Sequence, residues 1–228
     1  MRLLDAFLIS YSDSSFTNPH QVVSPDEPEE CTGNFTHMGA KYWGFETARH
    51  KATSLNDNNR FSFNDDAYHW IHIGLKNRAT VSRISISTKW FTGNQVPEVA
   101  IELVNDQGRT EVVARTPLAP DREHSFDIEP AIASECLVRC YHEGGIARVN
   151  LLGESQTSES GQINLLEQAG ISHVSNEHYG KPRDAVTGNR EVDYMLGWES
   201  ARTGFGECAL FHLDKAHAVS AVIVDTYL

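Results

Sequence analysis

Glu46 and Arg49 stand three residues apart in Trp43-Gly44-Phe45-Glu46-Thr47-Ala48-Arg49-His50, beside a glycine and an aromatic residue. A carboxylate can move a proton, and a guanidinium can grip an anion through two parallel hydrogen bonds, so the pair has the chemistry of a site for a small acid. A surface ion pair beside a turn is the plainer reading. The pattern returns, however, as Leu196-Gly197-Trp198-Glu199-Ser200-Ala201-Arg202-Thr203. Both copies read G-[FW]-E-[TS]-A-R, and a surface pair has no reason to recur with its neighbours.

The flanks recur as well, which makes this an internal repeat. Upstream, Ser12-Asp13-Ser14-Ser15-Phe16-Thr17-Asn18-Pro19 and Ser175-Asn176-Glu177-His178-Tyr179-Gly180-Lys181-Pro182 share S-[DN]-x-x-[FY]-x-x-P. Downstream, Val81-Ser82-Arg83-Ile84-Ser85-Ile86-Ser87-Thr88 matches Val219-Ser220-Ala221-Val222-Ile223-Val224-Asp225-Thr226. The second copy is shorter between the central motif and this strand. The difference falls on the polar run Thr53 to Asp66, where a loop absorbs length at little cost.

The elements that must carry these residues read as strands. Apolar alternation and turn signals mark segments near 3–10, 69–75, 81–88, 98–104, 110–115, 124–128, 136–142 and 146–152. Lys76-Asn77-Arg78, Gly93-Asn94, Asn105-Asp106-Gln107-Gly108 and Gly144-Gly145 are the expected turns, and no helical run of comparable length occurs. Short antiparallel strands at this spacing predict an all-β sandwich or jelly roll, with a barrel as the lesser option. Pro25-Asp26-Glu27-Pro28-Glu29-Glu30 reads as a solvated acidic loop. The Ser/Glu-rich stretch from Glu154 reads as a linker, with one or two helical turns between Ile163 and Ala169. The domains expected are therefore 1–153, a linker 154–170, and 171–228 as the opening part of a second repeat. The second copy stops just past the middle of the unit, so either the chain runs on or another subunit or a different packing covers its bare face.

Nineteen basic against thirty-one acidic side chains give a net charge of −12, which opposes nucleic acid and anionic membranes as partners. A signal peptide and a membrane-length apolar segment are both missing from the pattern, so a cytoplasmic address is expected. Cys31, Cys136, Cys140 and Cys208 form no CxxC pair and read as reduced thiols, with Cys136 and Cys140 on the core face of one strand. His69 and His72 fall on opposite faces of a strand, His69 reading as exposed, and no metal-ligand spacing appears. Trp70 and Trp198 read more readily as core aromatics than as ligand platforms.

Taken in order, the blocks resemble the allantoicase family, whose members carry G-W-E-T-R-R, H-D-W, D-T-x-H-F before a G-N turn, and G-G-I-A-R. Here these stand as Gly44-Phe45-Glu46-Thr47-Ala48-Arg49, Tyr68-His69-Trp70, Ser87-Thr88-Lys89-Trp90-Phe91-Thr92-Gly93-Asn94 and Gly144-Gly145-Ile146-Ala147-Arg148. The resemblance implies tandem repeats of the galactose-binding-like jelly roll, the second incomplete here. It also implies hydrolysis of a C–N bond of a linear amidine: allantoate to ureidoglycolate and urea, in purine degradation. The chain departs from the pattern at Ala48, Ala201, His69, Ser87 and Trp90, positions that are polar or acidic in the family.

Chemical need then distributes roles. Arg49 or Arg202 would hold the substrate carboxylate, and Glu46 or Glu199 would serve as acid or base, with Asp225 as a further carboxylate. Asn94 at the Gly93 turn, with Thr47 and Trp198, would bind the ureido groups. No cofactor is required by this pattern, a divalent metal stays open, and a homo-oligomer is expected. The competing expectation is a non-catalytic jelly-roll binding module or a degenerate subunit.

Overall fold

The computed structural model describes residues 1–13, 17–36, 39–49, 54–55, 61–62, 64–156, 164–178, 180–186 and 197–224. It divides into two compact units, Met1–Gly161 and Gln162–Leu228. Among the described residues the regular structure is β, with three short 3-10 turns at Pro19–Val23, Leu165–Gln168 and Asp184–Val186. No described helix is long and apolar enough to cross a membrane.

In chain order the strands are β1 Arg2–Leu3, β2 Ala6–Tyr11, β3 Phe35–Thr36, β4 Gly39–Ala40, β5 Phe45–Glu46, β6 Ser54–Leu55, β7 Phe61–Ser62, β8 Tyr68–Ser87, β9 Glu98–Asn105, β10 Gly108–Pro117, β11 Glu123–Tyr141, β12 Gly145–Ile146, β13 Arg148–Ser155, β14 Gly170–Val174 and β15 Ala209–His212. The first unit is built on β8 and β11, which pair antiparallel along most of their length. The first part of β8 is flanked by β2, and the last part of β11 by β9, with β10 beyond it. Later in its course β8 takes β13 as its second neighbour, with β1 outside that. Two sets of strands thus share two long ones, and a single apolar cluster runs through both sets, from Leu8, Ile71, Ile73 and Val138 to Ile84, Ile86, Val149 and Leu151. This is the sandwich core of a jelly roll.

Strands expected at 69–75 and 81–88 are one strand, and so are those at 124–128 and 136–142. Lys76-Asn77-Arg78 is not a hairpin turn. It is where β8 changes partners: the Lys76 N–H donates to Asp5 O at 2.9 Å and Arg78 O accepts from the Gln156 N–H at 2.8 Å. Polar residues sit there because the strand leaves one layer for the other, and not because the chain reverses. The apolar phase also slips once, near Ser82, so that Ile71, Ile73 and Val81 share the core with Ile84 and Ile86. Both neighbours change register at the same place, β11 between Asp127 and Ala131 and β13 between Leu152 and Gly153, which is the mark of a bulge.

Cys136 and Cys140 are fully buried free thiols on β11, as their spacing predicts. Burial pushes the Cys136 thiol up to about 12. His69, expected to be exposed, is only 8% accessible, and Trp70, expected in the core, is 38% accessible. The single-residue alternation along β8 runs in the opposite phase to that expectation, because Ile71 and Ile73 take the inner face and draw His69 with them.

The second unit repeats the opening of the first, residue by residue. In β2 and β8 the pairs are Phe7↔Gly74, Leu8↔Ile73, Ser10↔His72 and Tyr11↔Ile71. In β14 and β15 they are Gly170↔His212, Ile171↔Phe211, His173↔Leu210 and Val174↔Ala209. These are the positions that the sequence blocks equate, and even the skipped residue, Ile9 or Ser172, is the same one. The Ser12 N–H donates to Trp70 O at 3.0 Å, and the Ser175 N–H donates to Cys208 O at 2.8 Å. Beyond β15 the likeness ends: residues 219–224 form no strand, and Val219, Val222 and Val224 are 56%, 78% and 80% accessible. Their counterparts Val81, Ile84 and Ile86, each 0% accessible, lie in β8 between β11 and β13 and pack in the apolar core.

The stretch expected to turn helically from Ile163 is a 3-10 turn over Leu165–Gln168, with the Asn164 side chain accepting from the Leu166 N–H at 3.2 Å. Ile163 itself lies outside the described residues.

Candidate functional site

Gly44 opens the site because nothing else fits. Its φ is +93°, and a Cβ there would come within 2.4 Å of Ile146 O and 2.6 Å of Ala147 O. Close approach of two backbones lets β5 pair with β12, setting Glu46 opposite Gly145 and Phe45 opposite Ile146. The G-F-E-T-A-R and G-G-I-A-R blocks, about a hundred residues apart, are therefore the two sides of one small ladder. Thr47 extends it in both directions: its N–H donates to Gly144 O, and its hydroxyl accepts from the Gly144 N–H, each at 3.0 Å.

The Gly93-Asn94 turn arrives at the same place. The Gly145 N–H donates to Asn94 O at 2.8 Å, and Asn94 Nδ2 reaches Glu46 Oε1 at 3.5 Å. Glu46, Thr47 and Asn94 are thus brought together, with Gly93 beside them and, its chain neighbours apart, no heavy atom within 4 Å of where a Gly93 side chain would begin. Burial raises the Glu46 carboxyl above its ordinary value, and the Asn94 amide and the charge of Arg49 offset that only partly. Glu46 Oε2 is buried without a hydrogen-bond partner, and so are Trp43 Nε1 and Gln95 Oε1 in the same two segments. An orphaned carboxylate oxygen, amide oxygen and indole N–H are what a polar ligand would satisfy. Arg49 is exposed.

Trp43 and Gln95 were not singled out by sequence, although both adjoin residues that were. Arg148 of G-G-I-A-R pins the acidic loop: its guanidinium donates to Asp26 O and Glu27 Oε1, both at 3.0 Å. Trp90, in place of the family's histidine, does the same from the other side, its indole N–H donating to Pro28 O at 2.9 Å.

The second motif is arranged differently. Arg202 Nη2 lies 2.7 Å from Glu199 Oε1, so the pair closes on itself, with Arg202 80% accessible and Glu199 only 13%. The Trp198 indole N–H donates to Asn176 O at 2.8 Å. Asp225 lies outside the described residues. Among the described residues no group of three or more His, Cys, Asp or Glu side chains could hold a metal ion.

The first unit is a jelly-roll repeat in which the glutamate of β5 is half-buried against an asparagine. The allantoicase repeat model matches residues 1–156, and the chain belongs to the allantoicase family. It is 26% identical to the allantoicase of Saccharomyces cerevisiae over 246 residues, covering 96% of this chain and 68% of that protein. It is 25% identical to a probable allantoicase of Acinetobacter baylyi over 240 residues, covering 98% and 68%. A solved structure of allantoicase superimposes with a TM-score of 0.52 at 24% identity, over 93% of this chain and 66% of that one. The crystal structure of Saccharomyces cerevisiae allantoicase gives 0.52 at 23%, over 91% and 65%. The chain thus spans about two thirds of the length of the relatives it matches.

Proposed function

We propose that the chain is a hydrolase of the allantoicase type, converting allantoate and water to ureidoglycolate and urea, with the site in the first unit. The observation that carries this reading is Glu46: half-buried, held on one oxygen by Asn94, with the other oxygen unsatisfied and the carboxyl shifted toward its protonated form. Such a group delivers a proton to the departing ureido nitrogen and, once ionised, takes one back from the attacking water. The exposed Arg49 meets the substrate carboxylate. The orphaned Gln95 oxygen accepts a ureido N–H group, and the Trp43 N–H donates to a ureido carbonyl. In the second unit Glu199 already occupies Arg202, so that copy serves the fold and not the chemistry.

Urea release from allantoate by the whole chain, with and without added divalent metal, tests the reading against Glu46→Gln. Turnover in the wild type and its loss in the variant is the expected result. Allantoate binding by calorimetry without turnover would favour a non-catalytic binding module, a reading supported by the open placement of Arg49 at a loop end. Self-association is proposed with it, because Val219, Val222 and Val224 present apolar surface that a second copy would cover. Sedimentation showing only monomer would remove that part. The cytoplasmic address remains a proposal on the same footing.

A further inference from the structure

Each unit fastens its central motif with a four-part clamp that the repeat places at equivalent positions. In the first, Asp13 Oδ1 accepts from the Ala48 N–H at 2.8 Å while Asp13 Oδ2 lies 2.9 Å from His69 Nδ1. Ser12 Oγ lies 3.2 Å from the same ring nitrogen and accepts from the Trp70 N–H at 3.1 Å. In the second, Asn176 Oδ1 accepts from the Ala201 N–H at 2.5 Å, and Asn176 Nδ2 donates to Glu207 Oε2. Ser175 Oγ donates to that oxygen at 2.5 Å and accepts from the Cys208 N–H at 3.1 Å. Position for position, Ser12 answers Ser175, Asp13 answers Asn176, Ala48 answers Ala201 and His69 answers Glu207.

The acid has changed sides. A carboxylate only accepts, so Asp13 requires a donor across from it, and His69 Nδ1 supplies one. An amide has both functions, so Asn176 can cap the Ala201 N–H with its oxygen and still donate to Glu207. Either combination sets a donor against each facing carboxylate, whereas the cross-combination of an aspartate with a glutamate fails in a definite way. Asp13 facing a glutamate at position 69 would set two carboxylates against each other, one of them beside a nearly buried position.

We propose that Asp13 and His69 are positioning residues of the first-unit site, acting through the Ala48 N–H to hold the turn that carries Glu46 and Arg49, and that the Asn176/Glu207 pair is an interchangeable form of the same device. The inference that this placement matters for turnover rests on the hydrolase reading above. The clamp itself does not. Asp13 reaches the motif one residue before Arg49 and two after Glu46, so its loss frees the segment on which both depend. The register of β2 against β8 keeps the two halves of the clamp in line, just as β14 against β15 does in the second unit.

The test is a transplant of the second-unit pair into the first. His69→Glu, Asp13→Asn and the double variant Asp13→Asn/His69→Glu are compared with wild type by amide hydrogen exchange at Ala48 and by urea release, well below the unfolding temperature. His69→Glu should lower protection at Ala48 by on the order of tenfold, and the double variant should restore it. Urea release should follow, with kcat falling in His69→Glu and recovering in the double variant. A double variant no better protected than His69→Glu overturns the clamp. Exchange that is lost and rescued while kcat stays constant overturns the positioning role. Should wild type release no urea while exchange is rescued, the clamp stands and the hydrolase reading falls.

Discussion

The ring of Phe7 fills the space that a side chain at Gly74 would need: a Cβ on Gly74 would come within 2.4 Å of Phe7 Cζ. The equivalent pair in the second unit has the sizes reversed: a Cβ on Gly170 would come within 2.1 Å of the nearest carbon of the His212 ring. One small and one large residue fill the same gap from opposite strands. Gly74→Ala overpacks it and should cost about 1–3 kcal/mol in chemical denaturation. Part of that should return in Phe7→Leu/Gly74→Ala. An additive double variant would show that the ring is not what excludes the methyl.

At Gly44 the obstruction is backbone, which has nowhere to go. Gly33 provides the comparison, since its φ is also positive, at +82°, yet nothing lies within 4 Å of its absent Cβ. Gly33→Ala should cost about 1–2 kcal/mol from the left-handed conformation alone. Gly44→Ala should cost about 1–3 kcal/mol more from overpacking against β12. Equal losses in urea denaturation would mean that the β5–β12 contact does not define the site.

Glu46 makes stability depend on pH with a definite sign. Its carboxyl is raised in the fold, chiefly by burial, so the native state holds that proton more tightly than the unfolded chain does. The contribution is complete below the ordinary value of 4.5 and is lost as pH rises through the raised value. Glu46→Gln has no such dependence. The difference in unfolding midpoint should therefore move in favour of the glutamine variant between about pH 4 and pH 7. A shift in the opposite direction would mean that Glu46 is stabilised as the anion and is not poised to donate a proton.

Arg49 and Arg202 occupy matching places and should behave differently. Arg49→Ala removes the proposed grip on the substrate carboxylate and should raise KM for allantoate about tenfold or more, the scale of one charged hydrogen-bonded contact. Arg202 is spent on Glu199, in an exposed pair worth about 0.2–1 kcal/mol at most. Arg202→Ala should leave both KM and kcat near wild type. A larger kinetic loss at Arg202 would move the site to the second unit.

Much of this was open to reading in the chain itself. The repeat is written in the order of its blocks, and it survives the exchange of Asp13 for Asn176 because both are short polar side chains with an oxygen at the same reach. The all-β class follows from alternation, and Cys136 and Cys140 declare the buried face of their strand. Alternation failed at two points, each for a local reason. The bulge near Ser82 shifts the phase, and the polar run Lys76-Asn77-Arg78 marks a change of layer that looks, in one dimension, like a reversal.

The sequence by itself determined the repeat, the strand-rich class and the glutamate–arginine motif, because these depend on side-chain type at fixed spacing. Only the tertiary structure decided how differently the two motifs are surrounded. Two identical E-x-x-R spacings become different objects once Asn94 reaches Glu46 from another loop and Glu199 turns to Arg202. It also decided that His69 is buried beside Asp13 and that Gly44 meets the carbonyls of β12. The contacts of Glu46, His69 and Gly44 join residues 48 to about a hundred positions apart, and such partners are selected by how the layers pack, a choice that no local pattern of residues records.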